Sequence, residues 1–388
     1  MEKNYIYLDN AATTKISDEA ISEMMPCFTE YYGNPSSAYG LASYSRSRIN
    51  GARRAVASLI NADSNEIFFT SGGTESDNMA IRGTAEYYLS THNGRPGKII
   101  TTAVEHPAVL NTVRSLKKRG FTAEEIMPDR YGVIAAADVE KAITPDTFLV
   151  SVMTANNETG AIEPVKEIGI IAHEHGCVFH TDAVQAFGQI PMDVSDMNID
   201  MLSASGHKIY GPMGVGMLYI RSGTKILPFI SGGMQERGRR AGTENVPGIC
   251  GFGKAAELAG ERMTADAAKE IKLRDKIINR LTAIEGVTLN GPENVGCMRL
   301  PGNVNLMIDG VYGETLVIKL DMEGICISSG SACATGSTDP SHVLKAMGKS
   351  DEEARSSVRI SLGRYNTEEE TERAVNIIKD AICRIRKS

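Results

Sequence analysis

A chain of 388 residues is longer than one hydrophobic core usually supports, so two domains are expected. With 42% hydrophobic and 23% charged residues it has an ordinary globular composition, and a net charge of -7 argues against a nucleic-acid or membrane-surface binder. Its apolar runs are too short to span a bilayer and residues 1–5 carry no signal region, so a cytoplasmic protein is expected.

Tyr5-Ile6-Tyr7-Leu8-Asp9 alternates like a strand, and Asn10-Ala11-Ala12-Thr13-Thr14 reads as a polar turn. Ser17 then reads as an N-cap ahead of Asp18 and Glu19. That helix stops before the breaker-rich Gly33-Asn34-Pro35-Ser36-Ser37, and helical spacing returns over 44–60. From there strand, loop and helix repeat. A strand over 66–70 runs into Ser71-Gly72-Gly73-Thr74-Glu75-Ser76, a turn that opens a helix to about 89. A strand over 98–103 ends at Glu105-His106-Pro107, and one over 148–153 ends at Asn156-Asn157-Glu158-Thr159-Gly160. The strand 177–181 ends at Asp182, and the apolar run 199–202 leads into Ser203-Ala204-Ser205-Gly206-His207-Lys208. This alternation predicts an α/β protein with a mostly parallel sheet covered on both faces. Ligands in such sheets bind outside the carboxyl ends of the strands, where these polar clusters fall.

Beyond Gly253 the character shifts. A long charged helix over 258–284, short strands near 287–289, 304–307, 325–328 and 358–362, and a last helix from Thr367 describe a smaller α+β domain. The expected division is a large domain over 15–257, and a small one made of 1–14 and 258–388.

Lys208 follows a strand end, beside small hydroxyl residues and a histidine. A pyridoxal phosphate (PLP) enzyme needs such an amine to condense with the cofactor aldehyde, and donors for the phosphate. A lone loop lysine would carry no such meaning; the rest of the chain supplies it. Gly73 and Thr74 open a helix after a strand, the geometry that suits a phosphate, although a Gly-Gly-Thr turn can also simply start a helix. Asp182 at a strand end suits a protonated pyridine nitrogen, Gln185 one turn on suits the ring hydroxyl, and His106 suits a stacked ring. Taken singly they read as a cap and packed loop residues.

Two look-alikes fail. Gly248-Ile249-Cys250-Gly251-Phe252-Gly253-Lys254 resembles a phosphate loop, yet Ala255 stands where Ser or Thr is required and no strand precedes it. His173, His175, Cys177 and His180 cluster in print, but a helix end and an alternating strand need not bring them together. The seven cysteines form no C-x-x-C pair, which speaks against disulfides or a zinc ribbon, and most are expected to be buried and inert. Cys333 differs: it sits in Ser328-Ser329-Gly330-Ser331-Ala332-Cys333-Ala334-Thr335-Gly336-Ser337, a stretch with little to pack, expected to be mobile.

Five motifs now stand in one order: Asn156-Asn157-Glu158-Thr159-Gly160, Thr181-Asp182-Ala183-Val184-Gln185, Ser205-Gly206-His207-Lys208, Arg240-Ala241-Gly242-Thr243-Glu244-Asn245 and Ser329-Gly330-Ser331-Ala332-Cys333. Together, from Tyr7 to the last helix, the chain resembles the cysteine desulfurases, the NifS/IscS-like branch of the class V aminotransferases among fold type I PLP enzymes. The resemblance implies Lys208 as the cofactor-bearing lysine, Asp182 as the pyridinium partner and Gln185 as the ring-hydroxyl donor. It places Asn157 near the same ring edge and His106 over the ring. Gly73, Thr74, Ser205 and His207 would bind the phosphate, with Thr243 reaching in from the other subunit of a homodimer. Asn34 and Arg359 would hold the substrate carboxylate, a task suited to a planar guanidinium. Met213 departs from the family pattern, where a lysine is usual, at a position with no expected catalytic role.

The implied reaction converts L-cysteine to L-alanine. Lys208 would remove the Cα proton and the Cys333 thiolate would attack the substrate sulfur, leaving a persulfide. The sulfur would pass to an acceptor, such as a scaffold protein of iron–sulfur cluster assembly, or to thiolation. A selenocysteine lyase would share the chemistry, and a class V aminotransferase the cofactor site; an aminotransferase needs no loop cysteine.

Overall fold

The computed structural model describes residues 5–293, 298–329 and 339–387. Its strands in chain order are β1 (Ile6–Tyr7), β2 (Ile67–Thr70), β3 (Lys98–Thr102), β4 (Thr122–Ile126), β5 (Thr147–Ser151) and β6 (Val178–Asp182). They continue with β7 (Met201–Ser205), β8 (Gly216–Ile220), β9 (Val287–Leu289), β10 (Asn303–Ile308), β11 (Ile325–Cys326) and β12 (Ser357–Ser361). Seven of these form the large sheet in the order β2-β8-β7-β6-β5-β3-β4, with only β8 antiparallel to its neighbours.

The two-residue period of a strand sends Phe68 to one face of this sheet and Phe69 to the other, and both are buried. The helices Gly73–Thr91 and Pro107–Lys117 supply residues to one core, and Gly40–Ser58 and Val165–Glu174 to the other. A sheet with both faces covered explains why β2, β5, β7 and β8 are buried throughout.

The second unit holds an antiparallel sheet β12-β10-β9 and a parallel pair β1-β11, backed by the helices Gly313–Met322 and Glu368–Ile385. The 37-residue helix Val246–Thr282 joins the units. Ile249, Phe252 and Ala256 near its start lie in the large core; Leu273, Ile277 and Leu281 near its end lie in the small one. Near its start this helix lies so close to Gly40–Ser58 that a Cβ on Gly253 would meet Ala52 at 2.5 Å. The division expected between 257 and 258 falls inside this helix.

Some elements differ from the sequence reading. The strand β7 occupies 201–205 and not 199–202, so Ser203 and Ser205 are strand residues. The N-terminal strand shrinks to Ile6–Tyr7, because only that stretch pairs with β11. The long helix begins at Val246, twelve residues before its charged part, capped by Asn245 accepting from the Gly248 amide. Ser17 caps as expected, accepting from the Ala20 amide at 3.1 Å. Of the cysteines described, Cys27, Cys177 and Cys250 are buried, Cys326 is half-buried and Cys383 is exposed.

Candidate active site

The carboxyl ends of β6 and β7 point at the segment 10–14, and Lys208 lies between them. β7 ends at Ser205, and the short 3-10 helix Gly206–Lys208 continues it. The turn closes because Gly211 packs on the Gly206 carbonyl, where a Cβ would approach to 2.8 Å, and because Tyr210 takes φ of 66°. Lys208 Nζ donates to the carbonyls of Ala11 at 2.6 Å and Ala12 at 2.7 Å. Gln185 Nε2 donates to the same Ala11 carbonyl at 3.0 Å. Thr14 Oγ1 donates to the His207 carbonyl and accepts from the Tyr210 amide, so the N-terminal turn is bolted to the lysine turn. Nδ1 of His207 lies 3.1 Å from Thr13 Oγ1, and burial with the neighbouring Lys208 charge pushes the imidazole down to about 4. It is neutral at physiological pH.

Asp182 is buried at the end of β6 and accepts from the Val184 amide at 2.9 Å. Burial raises its proton affinity, while His106 and Lys208 pull in the opposite direction. Polar atoms of Asp77, His106 and Asp182 all lie within 4.8 Å of one another. Burial, and then the Asp182 charge, push the Asp77 carboxyl well up. His106 caps the helix Pro107–Lys117, its Nδ1 accepting from the Ala108 amide at 3.1 Å, which leaves Nε2 to carry the ring proton. Behind Asp182, His180 is fully buried, with Ser151 Oγ at 2.9 Å and Ser203 Oγ at 3.0 Å.

The start of the helix Gly73–Thr91 has no side-chain cap, so its first amides stay available to an anion. A Cβ on Gly73 would meet Val184 Cγ2 at 2.6 Å and Ser205 Cβ at 3.9 Å, which places this helix start beside β6 and β7. Glu75, two residues after Gly73, is held by Arg240 and Ser71, hydrogen bonds that keep its carboxyl below the usual value although burial opposes them. That ion pair fixes the segment carrying Thr243, which is exposed, as is Thr74.

Arg359 sits in β12 with its side chain 1% exposed. Nη1 donates to the Asn157 carbonyl and Nη2 to Asp9 Oδ1, each at 2.9 Å, while the buried Nε has no partner among the described residues. Asn34 is exposed and turns its carboxamide oxygen onto the Ser36 amide at 2.9 Å. Cys333 lies outside the described residues. The chain on either side is anchored beside the same groups. Ser328 exchanges backbone hydrogen bonds with Arg359, Ser341 Oγ donates to Glu158 Oε2 at 2.5 Å, and His342 Nε2 meets the Glu105 carbonyl at 2.9 Å.

This donor set fits PLP: an uncapped helix start for the phosphate, a buried anion for the pyridinium, and an amine held on rigid backbone. The look-alikes do not assemble. The phosphate-loop-like stretch is helix, His173 is spent on Asp200 at 2.9 Å, and His180 is enclosed by serines. The sequence reading missed Asp9, Ala11, Ala12, Thr14 and Asp77 as site residues. A signal existed for Ala11, Ala12 and Thr14, since residues 10–14 form a polar turn directly after a strand-like run.

The profile of the family described as "Aminotransferase class-V" matches residues 6–374. A cysteine desulfurase IscS of Clostridium botulinum is 50% identical over 378 residues, 97% of this chain and 94% of its own length. A solved "NifS-like protein" superposes with a TM-score of 0.90 at 38% identity, covering 98% of this chain and 99% of that one. Another solved chain, "SspA in complex with cysteine", matches at 38% identity with a TM-score of 0.80, over 93% of this chain and 99% of its own. Fold and site together define an enzyme of the fold type I class, built to use PLP. More narrowly, the chain belongs to the class-V aminotransferase family, among its cysteine desulfurases.

Proposed function

We propose that this chain removes sulfur from L-cysteine, releases L-alanine, and carries the sulfur as a persulfide on Cys333. The support begins with Lys208: its amine is held by two carbonyls within the same turn network as Gln185, with the Asp182 charge close by. PLP, when bound, supplies an electron sink for the pair left at Cα after deprotonation. Gly73, Thr74, Ser205 and His207 would bind its phosphate, with Thr243 contributed by the second subunit of a homodimer. Asp182 would hold the pyridinium, Gln185 and Asn157 the ring edge, and His106 the ring face.

Arg359 binds the amino-acid carboxylate through its unpartnered Nε–H, assisted by Asn34. Lys208 Nζ, once free, takes the Cα proton. The Cys333 thiolate then attacks the substrate sulfur, breaking the carbon–sulfur bond and forming a sulfur–sulfur bond on the chain. The neighbour solved with cysteine supports this substrate class. A scaffold protein of iron–sulfur assembly is the acceptor that the desulfurase reading implies.

The test is direct. Wild type reduced with borohydride should carry the cofactor on Lys208, and Lys208→Ala should not. Cys333→Ser should retain the cofactor and bind L-cysteine while losing sulfide and alanine production. A cofactor found on another lysine, or full turnover by Cys333→Ser, contradicts the proposal.

A further inference from the structure

Arg359 is the largest fully buried side chain among the described residues. An arginine keeps its charge in any protein, so a buried one must find acceptors and an anion. Asn157 O and Asp9 Oδ1 each accept at 2.9 Å, and Ser328 Oγ stands at 3.4 Å from Nη2. Among the described residues, Asp9 is its one anionic partner. The buried Nε–H has no partner among the described residues.

Asp9 itself is held firmly. It pairs with Ser361 two residues along the strand from Arg359, and Leu8, fully buried, accepts from the Ser361 amide at 2.8 Å. The Asp9 carbonyl accepts from the Ala12 amide at 3.0 Å and from the Tyr7 hydroxyl at 3.1 Å. That backbone fixes the point from which the Asp9 carboxylate reaches Arg359. The carboxylate fixes the guanidinium plane through Nη2 while the Asn157 carbonyl fixes it through Nη1.

We infer that Asp9 is a positioning residue for amino-acid recognition: it locks Arg359 so that the unpartnered Nε–H faces the incoming α-carboxylate. The inference rests on the proposed role of Arg359. A competing arrangement, in which Asp9 occupies Arg359 and must be displaced, predicts the opposite sign on removal of its charge.

The experiment uses holoenzyme and titrates L-alanine by the change in cofactor absorbance, alongside steady-state kinetics with L-cysteine. Asp9→Asn keeps the shape and removes the charge. Its Kd for L-alanine and its KM for L-cysteine should each rise about tenfold, the scale of one charge-assisted hydrogen bond, with kcat within about twofold. Asp9→Glu keeps the charge on a longer arm and should fall between the two, with the wild-type cofactor spectrum in the absence of amino acid. If Asp9→Asn fails to fold, Asp9→Glu carries the test alone through a measurable rise in both constants. Unchanged or tighter binding by these variants overturns the inference. Arg359→Gln separates the two levels: normal L-alanine binding by that variant sinks the Arg359 role itself. Weakened binding there with silent Asp9 variants sinks only the positioning role.

Discussion

His180 is fully buried two residues before Asp182, with a serine hydroxyl at each ring nitrogen, and burial pushes its imidazole down to about 3. A histidine neutral in the fold but free to titrate near 6.5 when unfolded must cost stability as pH falls, because the unfolded chain then binds a proton that the folded one refuses. That penalty is absent above about pH 7, grows as pH drops through 6.5, and levels off near 3. Wild type should therefore lose about 2 kcal/mol between pH 8 and pH 5 relative to a His180→Gln variant. Paired denaturant titrations at the two values check this, and parallel curves would show that His180 is not buried neutral. Histidines and lysines at strand ends were legible in the sequence because strand alternation marks where a strand stops. Asp9 and Asp77 were not. Asp9 meets an arginine 350 positions away, and Asp77 reads as one more polar residue on a helix until folding sets it against Asp182.

The turn at residues 235–238 illustrates what an element needs beyond its own sequence. Glu236 and Arg237 take φ of 44° and 56°, left-handed values that residues with a side chain adopt at a cost. Glu236 is held there by both Arg53 guanidinium nitrogens at 2.7 Å and by the Phe69 amide at 3.0 Å; Arg237 donates to the Ile67 carbonyl and stacks on Phe68. Removing one partner of a buried pair leaves the other charge uncompensated. Glu236→Ala should lose about 3–5 kcal/mol in chemical denaturation, and a loss below about 1 kcal/mol would contradict the account. The same dependence on distant partners explains the strand shifted to 201–205. A run of Ser-Ala-Ser looks like the end of a strand, yet Ser203 is paired with Asp182 across β6 and bonds to His180. The helix 246–282 hid its first turns for a related reason: three glycines there lower helix propensity, but two of them, Gly253 and Gly251, permit close packing on Ala52 and Met24.

At the scale of the molecule, the two cores are stitched along the segment 157–160. Four consecutive carbonyls there accept from the second unit: Asn157 from Arg359, Glu158 from Asn305, Thr159 from Arg299 and Gly160 from the Leu300 amide. The sequence showed the motif and its place at a strand end, but four backbone acceptors have no side-chain signature. Arg299 is the central stitch, 5% exposed, donating to Pro292 O at 2.8 Å, Thr159 O at 2.8 Å and Asn290 O at 2.6 Å. Burial and the nearby Arg274 charge pull its guanidinium down to about 9, so it is charged at neutral pH and dependent on those acceptors. Arg299→Leu would keep much of the volume and strip three carbonyls of their donor, at about 1–3 kcal/mol for each that water cannot reach. Because one helix runs through both cores, that loss should appear as a single unfolding transition moved to lower temperature. Calorimetry of the variant decides between this and two separable units: two resolved transitions would mean that the stitch, and not the shared helix, makes the cores unfold together.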